Sequence, residues 1–184
     1  LKLEGNKRDK PLLNRATREF YVPGSTFKTF TMISAFRAGK QGSVFPSYSG
    51  GFKPTRGSRP IVDATQKLHP DGSVTGVCDV GCEPKGIQFA YQVSSNQYFA
   101  QLAIELGRER MRETAIVFGI GPADTPEEAL LAKFFPNILN TSTPQIAASI
   151  APQQSTIVTG KDISLFDLGI EGMGQGYAGQ MTPF

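Results

Sequence analysis

The sequence predicts a mainly α-helical domain with short hairpins. Three observations carry that prediction. Apolar residues recur at three- and four-residue spacing in several segments, and glycines close those segments. Residues 40–85 form a stretch rich in Gly, Pro, Ser and Thr. No set of long β-branched runs is present that could build a central sheet.

Residues 1–22 are polar, then extended, and show no period; Lys7-Arg8-Asp9-Lys10 reads as a solvated surface. The pattern changes at Ser25. Phe27, Phe30, Met32, Ile33 and Phe36 repeat at helical spacing and Gly39 supplies the stop, which predicts a helix of roughly 14 residues. Phe30, Ile33 and Phe36 are expected to face a core. The 40–85 stretch is too long for a structureless loop in a compact domain. It is expected to fold as short hairpins lying over one face, using Pro60-Ile61-Val62, Ser73-Val74-Thr75 and the turn signal Asp71-Gly72. A second helix is predicted from about Ile87 to Leu106, with Phe89, Val93, Phe99, Leu102, Ala103 and Leu106 on its apolar side and Gly107 at its end. Arg108 to Phe118 reads as a third helix closed by Gly119. Thr125-Pro126-Glu127-Glu128 and Thr143-Pro144 are helix starts, each a cap followed by proline at the first position. A last helix is expected over Asp162 to Met173, followed by the glycine run Gly172, Gly174, Gly176 and Gly179.

The chain has 184 residues, enough for one domain with a substantial core, and no internal repeat or domain boundary is visible. Hydrophobic residues make up 39% and charged residues 19%, a globular composition. The net charge of +3 comes from scattered residues rather than a basic stripe, so nucleic acid is not a supported partner. No apolar run approaches the ~20 residues of a bilayer span, and Leu1-Lys2-Leu3-Glu4 is not a signal peptide. Cys78 and Cys82 lie close together in a Gly-rich segment. That spacing leaves a local disulfide and two free thiols equally open. A zinc site, with only His69, Asp79 and Glu83 as further ligands, stands well behind.

The chemistry centres on Pro23-Gly24-Ser25-Thr26-Phe27-Lys28. On a helix, positions i and i+3 share a face, so Lys28 reaches back over the first turn toward the Ser25 hydroxyl. A serine beside an amine that can hold its proton is an activated nucleophile. His69 is the one histidine in the chain, so histidine-based serine chemistry has no other partner. A bare Ser-x-x-Lys is weak evidence: 13 serines and 10 lysines give about 0.7 such pairs by chance. Its context strengthens it. Ser25 follows a Pro-Gly break at a helix start, where the dipole and free N–H groups favour developing negative charge. A second element is Ser94-Ser95-Asn96, read as lying in mid-helix, where such residues are unfavourable. They either hydrogen-bond back to the backbone or line a cleft, offering a proton-relaying hydroxyl and a carbonyl-binding amide.

Together these segments resemble the serine acyl-transferases of the penicillin-binding protein family. Pro23-Gly24-Ser25-Thr26-Phe27-Lys28 resembles the family's nucleophile motif with its flanks, and Asn14-Arg15-Ala16 lies upstream as in that family. Ser94-Ser95-Asn96 with Tyr98-Phe99-Ala100-Gln101-Leu102 resembles its second motif. Gly174-Gln175-Gly176 and Thr182-Pro183-Phe184 resemble the segments preceding its third. The surroundings of Ser25 look more like the monofunctional class B D,D-transpeptidases than the bifunctional synthases.

The resemblance implies that Ser25 attacks the penultimate D-alanine carbonyl of a peptidoglycan stem peptide, Lys28 takes its proton, Ser94 relays it to the leaving amine, and Asn96 holds the substrate amide. It implies no cofactor and no metal. Stem peptides, β-lactam antibiotics and cell-wall synthesis proteins are the partners it suggests. The expected location is extracytoplasmic, in the cell envelope, with a membrane anchor outside this chain. The implied fold is the helical portion of the β-lactamase/transpeptidase-like α/β fold, with most of the central sheet lacking. The third motif, Lys-Thr-Gly or Lys-Ser-Gly, does not occur, and Thr159-Gly160-Lys161 is its reverse. Residues 1–184 are therefore expected to be a partial transpeptidase domain, with 40–85 as an insertion over the cleft, and the isolated fragment is expected to be inactive. The alternatives are a serine β-lactamase or β-lactam sensor, which shares the first two motifs, and a non-catalytic scaffold of the same family.

Overall fold

The computed structural model describes residues 15, 20–118, 120–122, 156–157, 162–176 and 181. The expected helix starts at Thr125 and Thr143, the reversed motif at 159–161, Gly179 and the Thr-Pro segment at 182–184 lie outside the described residues, as do Asn14 and Ala16.

A 3-10 turn, Gly24–Thr26, runs directly into helix α1, Phe27–Arg37. The predicted stop holds. Gly39 adopts φ +68°, and the N–H groups of Lys40 and Gly39 return to Ala35 O (2.8 Å) and Phe36 O (3.2 Å), a Schellman ending. The buried face differs from the expected one. Phe27 and Phe30 are buried, Ile33 is half-buried, and Phe36 is 52% exposed. Lys28, Thr31 and Ser34 take the inward positions instead. Their polar atoms have partners there: Thr31 Oγ1 donates to Gly172 O (2.6 Å) and Ser34 Oγ to Phe30 O (3.1 Å). Buried polar groups are tolerable once hydrogen-bonded.

Within residues 40–85 the Asp71-Gly72 turn closes one hairpin, and the expected strand at Pro60-Ile61-Val62 is reduced to a single bridge at Ile61. Strands β1 (Val44–Phe45) and β4 (Lys85–Gly86) pair antiparallel, and β2 (Gln66–Leu68) pairs with β3 (Val74–Gly76). The turn between β2 and β3 carries Gly72 at φ +83°, and Asp71 Oδ1 accepts from Ser73 N (2.9 Å) and Ser73 Oγ (2.7 Å). Those bonds hold the Asp71 carboxyl below the usual carboxylate range. Ile61 bridges Phe52. Cys78 and Cys82 form a disulfide, which closes the question their spacing left open.

Helix α2 covers Ile87–Gln92 and helix α3 Asn96–Val117. Here the single helix expected from Ile87 to Leu106 is corrected: it breaks at residues 93–95. The expected break at Gly107 is present as a local departure, φ 73° and ψ 162°, between two helical runs. Phe99, Leu102, Ala103 and Leu106 are buried as predicted, whereas Val93 is half-buried and Phe89 is exposed. Strands β5 (Gly121–Pro122) and β6 (Thr156–Ile157) pair in parallel. Helix α4, Leu165–Gly172, starts at Ser164, whose Oγ accepts from Asp167 N (3.0 Å) and donates to the Asp167 carboxylate (2.6 Å).

The core is built around α3, with α1 and α4 packed on it. Residues 169 and 172 of α4 are glycines for a steric reason. A β-carbon on Gly172 would overlap Ala103, and one on Gly169 would lie 3.3 Å from Ala100 Cβ. Ala100 and Ala103 on α3 match those glycines, so the helix backbones approach closely. Among the described residues the strands form three two-stranded sheets. No described helix is long and apolar enough to cross a membrane.

Candidate active site

Ser25 occupies the exposed 3-10 turn that leads into α1. The turn is held from outside: Gly24 N donates to Gly174 O (2.8 Å), with Gly24 at φ +61° and Gly174 at φ +82°. A β-carbon on Gly174 would overlap Gly24 O and Phe27, so this contact requires glycine. The Gly174-Gln175-Gly176 segment is thus the support beneath the turn that presents Ser25.

Lys28 lies one turn along and is 1% exposed. Its Nζ is 3.3 Å from Ser25 Oγ, 2.9 Å from Ser94 Oγ, 2.5 Å from Ser94 O and 2.7 Å from Asn96 Oδ1. Lys28 Nζ thus donates within a shell of four oxygens, two of them the hydroxyls of Ser25 and Ser94. The ring of Phe99, 6.0 Å away at its centroid, closes the apolar side.

Ser94 and Asn96 are brought to Lys28 by the break between α2 and α3. Ser95 N returns to Ala90 O (2.9 Å) and Ser94 N to Tyr91 O (3.1 Å), again a Schellman ending. Ser94 therefore stands where glycine is usual, in the left-handed region at φ +56°. The next residue, Ser95, caps α3 by accepting from Tyr98 N (3.2 Å). The two readings of these polar residues are divided between them: Ser95 serves the backbone, and Ser94 and Asn96 line the cleft. Asn96 Nδ2 donates to Val62 O (2.9 Å), which fixes the amide and leaves its second N–H for a ligand.

Ser25, Ser94 and Asn96 share one cleft of about 1080 Å³. Its apolar wall includes Ile163, Phe166, Ile170 and Met173. Among the described residues no group of His, Cys, Asp or Glu is placed to hold a metal ion.

The sequence reading missed the residues behind the turn. Asp63, 1% exposed, accepts from Ser95 Oγ (3.0 Å) and Gln97 N (3.0 Å) through Oδ1. Gln97 and Gln66 bond to each other (2.7 Å), and both donate to Tyr48 O. No motif marked them: Asp63 and Gln66 lie in the Gly-, Pro-, Ser- and Thr-rich 40–85 stretch, and Gln97 follows the Ser94-Ser95-Asn96 element without belonging to it.

The family model of the penicillin binding protein transpeptidase domain matches residues 2–131. The chain belongs to the penicillin-binding protein transpeptidase family. Over 120 residues it is 34% identical to the peptidoglycan D,D-transpeptidase PbpA of Mycolicibacterium smegmatis, covering 65% of this chain and 22% of that protein. It is 33% identical over 129 residues to PbpA of Mycobacterium tuberculosis, covering 66% and 23%. The match thus spans less than a quarter of these relatives' length. Among solved structures, the ceftriaxone acyl-enzyme complex of penicillin-binding protein A from M. tuberculosis superposes with a TM-score of 0.64 at 26% identity, covering 99% of this chain and 33% of that one. A further crystal structure of the M. tuberculosis protein gives 0.64 at 27%, covering 97% and 34%. This transpeptidase-family segment is therefore part of an α/β penicillin-binding fold, with its helices and small sheets as described.

Proposed function

We propose that this chain carries the nucleophile, base and proton relay of a serine D,D-transpeptidase that cross-links peptidoglycan in the cell envelope. One observation carries the reading: Lys28 Nζ, buried, is within hydrogen-bond reach of Ser25 Oγ, Ser94 Oγ and Asn96 Oδ1 together. Ser25 Oγ attacks the carbonyl between two D-alanines as its proton passes to Lys28 Nζ. The C–N bond breaks, and the proton reaches the departing amine by way of Ser94 Oγ. An acyl-serine ester remains. An amine from a neighbouring strand then attacks it, the same relay runs in reverse, and Ser25 recovers its proton. Asn96 offers its free N–H to a substrate carbonyl. β-Lactams present the same carbonyl in a ring and leave Ser25 acylated. The relatives named as D,D-transpeptidases and the acyl-enzyme structures of penicillin-binding protein A support this assignment. The described helices then represent the helical portion of the β-lactamase/transpeptidase-like fold.

Incubating the full-length protein with a fluorescent penicillin and mapping the labelled peptide tests the assignment. A long-lived adduct on the Ser25 peptide, abolished by Ser25→Ala, is expected. Persistent labelling of Ser25→Ala removes Ser25 as the nucleophile, and rapid release of hydrolysed drug by the unaltered protein transfers it to the β-lactamase reading.

A further inference from the structure

Asp63 belongs to none of the motifs, yet its carboxylate sits behind the second one. Oδ1 accepts from Ser95 Oγ and from Gln97 N, both at 3.0 Å, and these two residues bracket Asn96. Oδ2 is buried and has no hydrogen-bond partner among the described residues. A buried acceptor left unmet is costly, the more so for a charged group. The carboxylate's return for its desolvation therefore lies in the two bonds to the turn. One of them reaches a free N–H in the first turn of α3, where the helix dipole favours negative charge. The Asp63 backbone is held in its own right: its N–H donates to Gln66 Oε1 (3.2 Å), and Gln66 Nε2 donates to Tyr48 O (3.0 Å) and Ser49 O (2.9 Å).

Ser94, at φ +56°, is not in a conformation that a serine keeps unaided. Its neighbour Ser95 is anchored on one side by α2 and on the other by Asp63. We propose that Asp63 is a positioning residue for acyl transfer: it locks the Ser94-Ser95-Asn96 turn in the orientation that aims Ser94 Oγ and Asn96 Oδ1 at Lys28. Through Gln66 it also makes the segment around Tyr48 part of the site's scaffold rather than a cover laid over it. The proposal rests on the transpeptidase reading above. It separates two features of Asp63, since the geometry requires the Oδ1 acceptor and does not require the charge.

The test follows acylation of the full-length protein by a fluorescent penicillin, with the limiting rate and the half-saturating concentration measured separately across pH. Asp63→Ala is expected to lower the limiting rate by about 10–100-fold, the scale of a small misplacement of catalytic groups. Labelling should still reach full stoichiometry on Ser25, with a shifted pH profile because the oxygens facing Lys28 have moved. Asp63→Asn keeps an acceptor at the Oδ1 position and is expected to stay within about 3-fold of the unaltered protein, well inside that loss. An Asp63→Ala protein that acylates at the unaltered rate overturns the proposal, as does Asp63→Asn failing as badly as Asp63→Ala. If Asp63→Ala does not fold, Ser95→Gly removes the other end of the same bond while staying a tolerated cap for α3; slowed acylation supports the proposal and an unchanged rate defeats it. Absence of labelling in the unaltered protein instead overturns the transpeptidase reading, and this proposal with it.

Discussion

Ser94 holds a position at which the backbone prefers glycine and the chemistry prefers a hydroxyl. A non-glycine residue in the left-handed region costs about 1–2 kcal/mol, of which glycine's extra unfolded-state entropy would cancel about 0.5–1 kcal/mol. Ser94→Gly is therefore expected to stabilise the fold by about 0.5–1 kcal/mol while slowing acylation, a trade usual at functional sites. Thermal melting and penicillin labelling of the same variant check both halves. This residue also shows where the sequence misleads. The polar run at 94–96 was legible as chemistry, and Ser25, Lys28, Ser94 and Asn96 do converge. The helix break was not legible, because helix stops are recognised by glycine and this one uses a serine. Asp63 was invisible for a further reason: its partners come from residues 32 and 34 positions away, and such pairing leaves no local pattern.

At the level of elements, the crossing of α4 over α3 has no room to spare. A methyl group at residue 172 would meet Ala103 and approach Phe99 O at 3.1 Å, neither of which is the yielding end of a long side chain. Gly172→Ala is expected to destabilise by about 1–3 kcal/mol, the range for overpacking, and chemical denaturation measures it. The same helix accepts the Thr31 hydroxyl at Gly172 O, so a shifted α4 also disturbs α1. Element existence was largely readable in advance, since α1, α4 and the Asp71-Gly72 hairpin stand where period and turn residues placed them, whereas α2 and α3 divide the expected 87–118 region at a different point. The facing of α1 was not. Its inward positions are chosen by the site, which draws in Lys28 and leaves Phe36 outside.

Across the whole molecule, a buried tyrosine sets an alkaline limit on stability. Tyr98 is 1% exposed and its hydroxyl donates to Ser43 O (2.8 Å). Burial, aided by the charge of Glu105, raises its pKa above the ordinary value. The folded protein thus keeps a proton that the unfolded chain releases near pH ~10. The resulting stability is full below that pH and declines as pH rises toward the folded-state value. Tyr98→Phe is expected to cost about 1 kcal/mol at neutral pH through the lost hydrogen bond and to flatten the decline above pH ~10, as measured by denaturation across pH. An equally steep alkaline decline in Tyr98→Phe would assign it to other groups. The contact between Gly24 and Gly174 has a further consequence, in time rather than in space. A protein is synthesised from one end, and Ser25 and Lys28 emerge long before the segment that supports their turn. Thr31, the companion contact on α1, waits for a partner 141 residues later. Long-range closures of this kind come late in folding. The reactive pair therefore remains an ordinary serine and lysine until the glycine segment has been made, and acquires its aim only then.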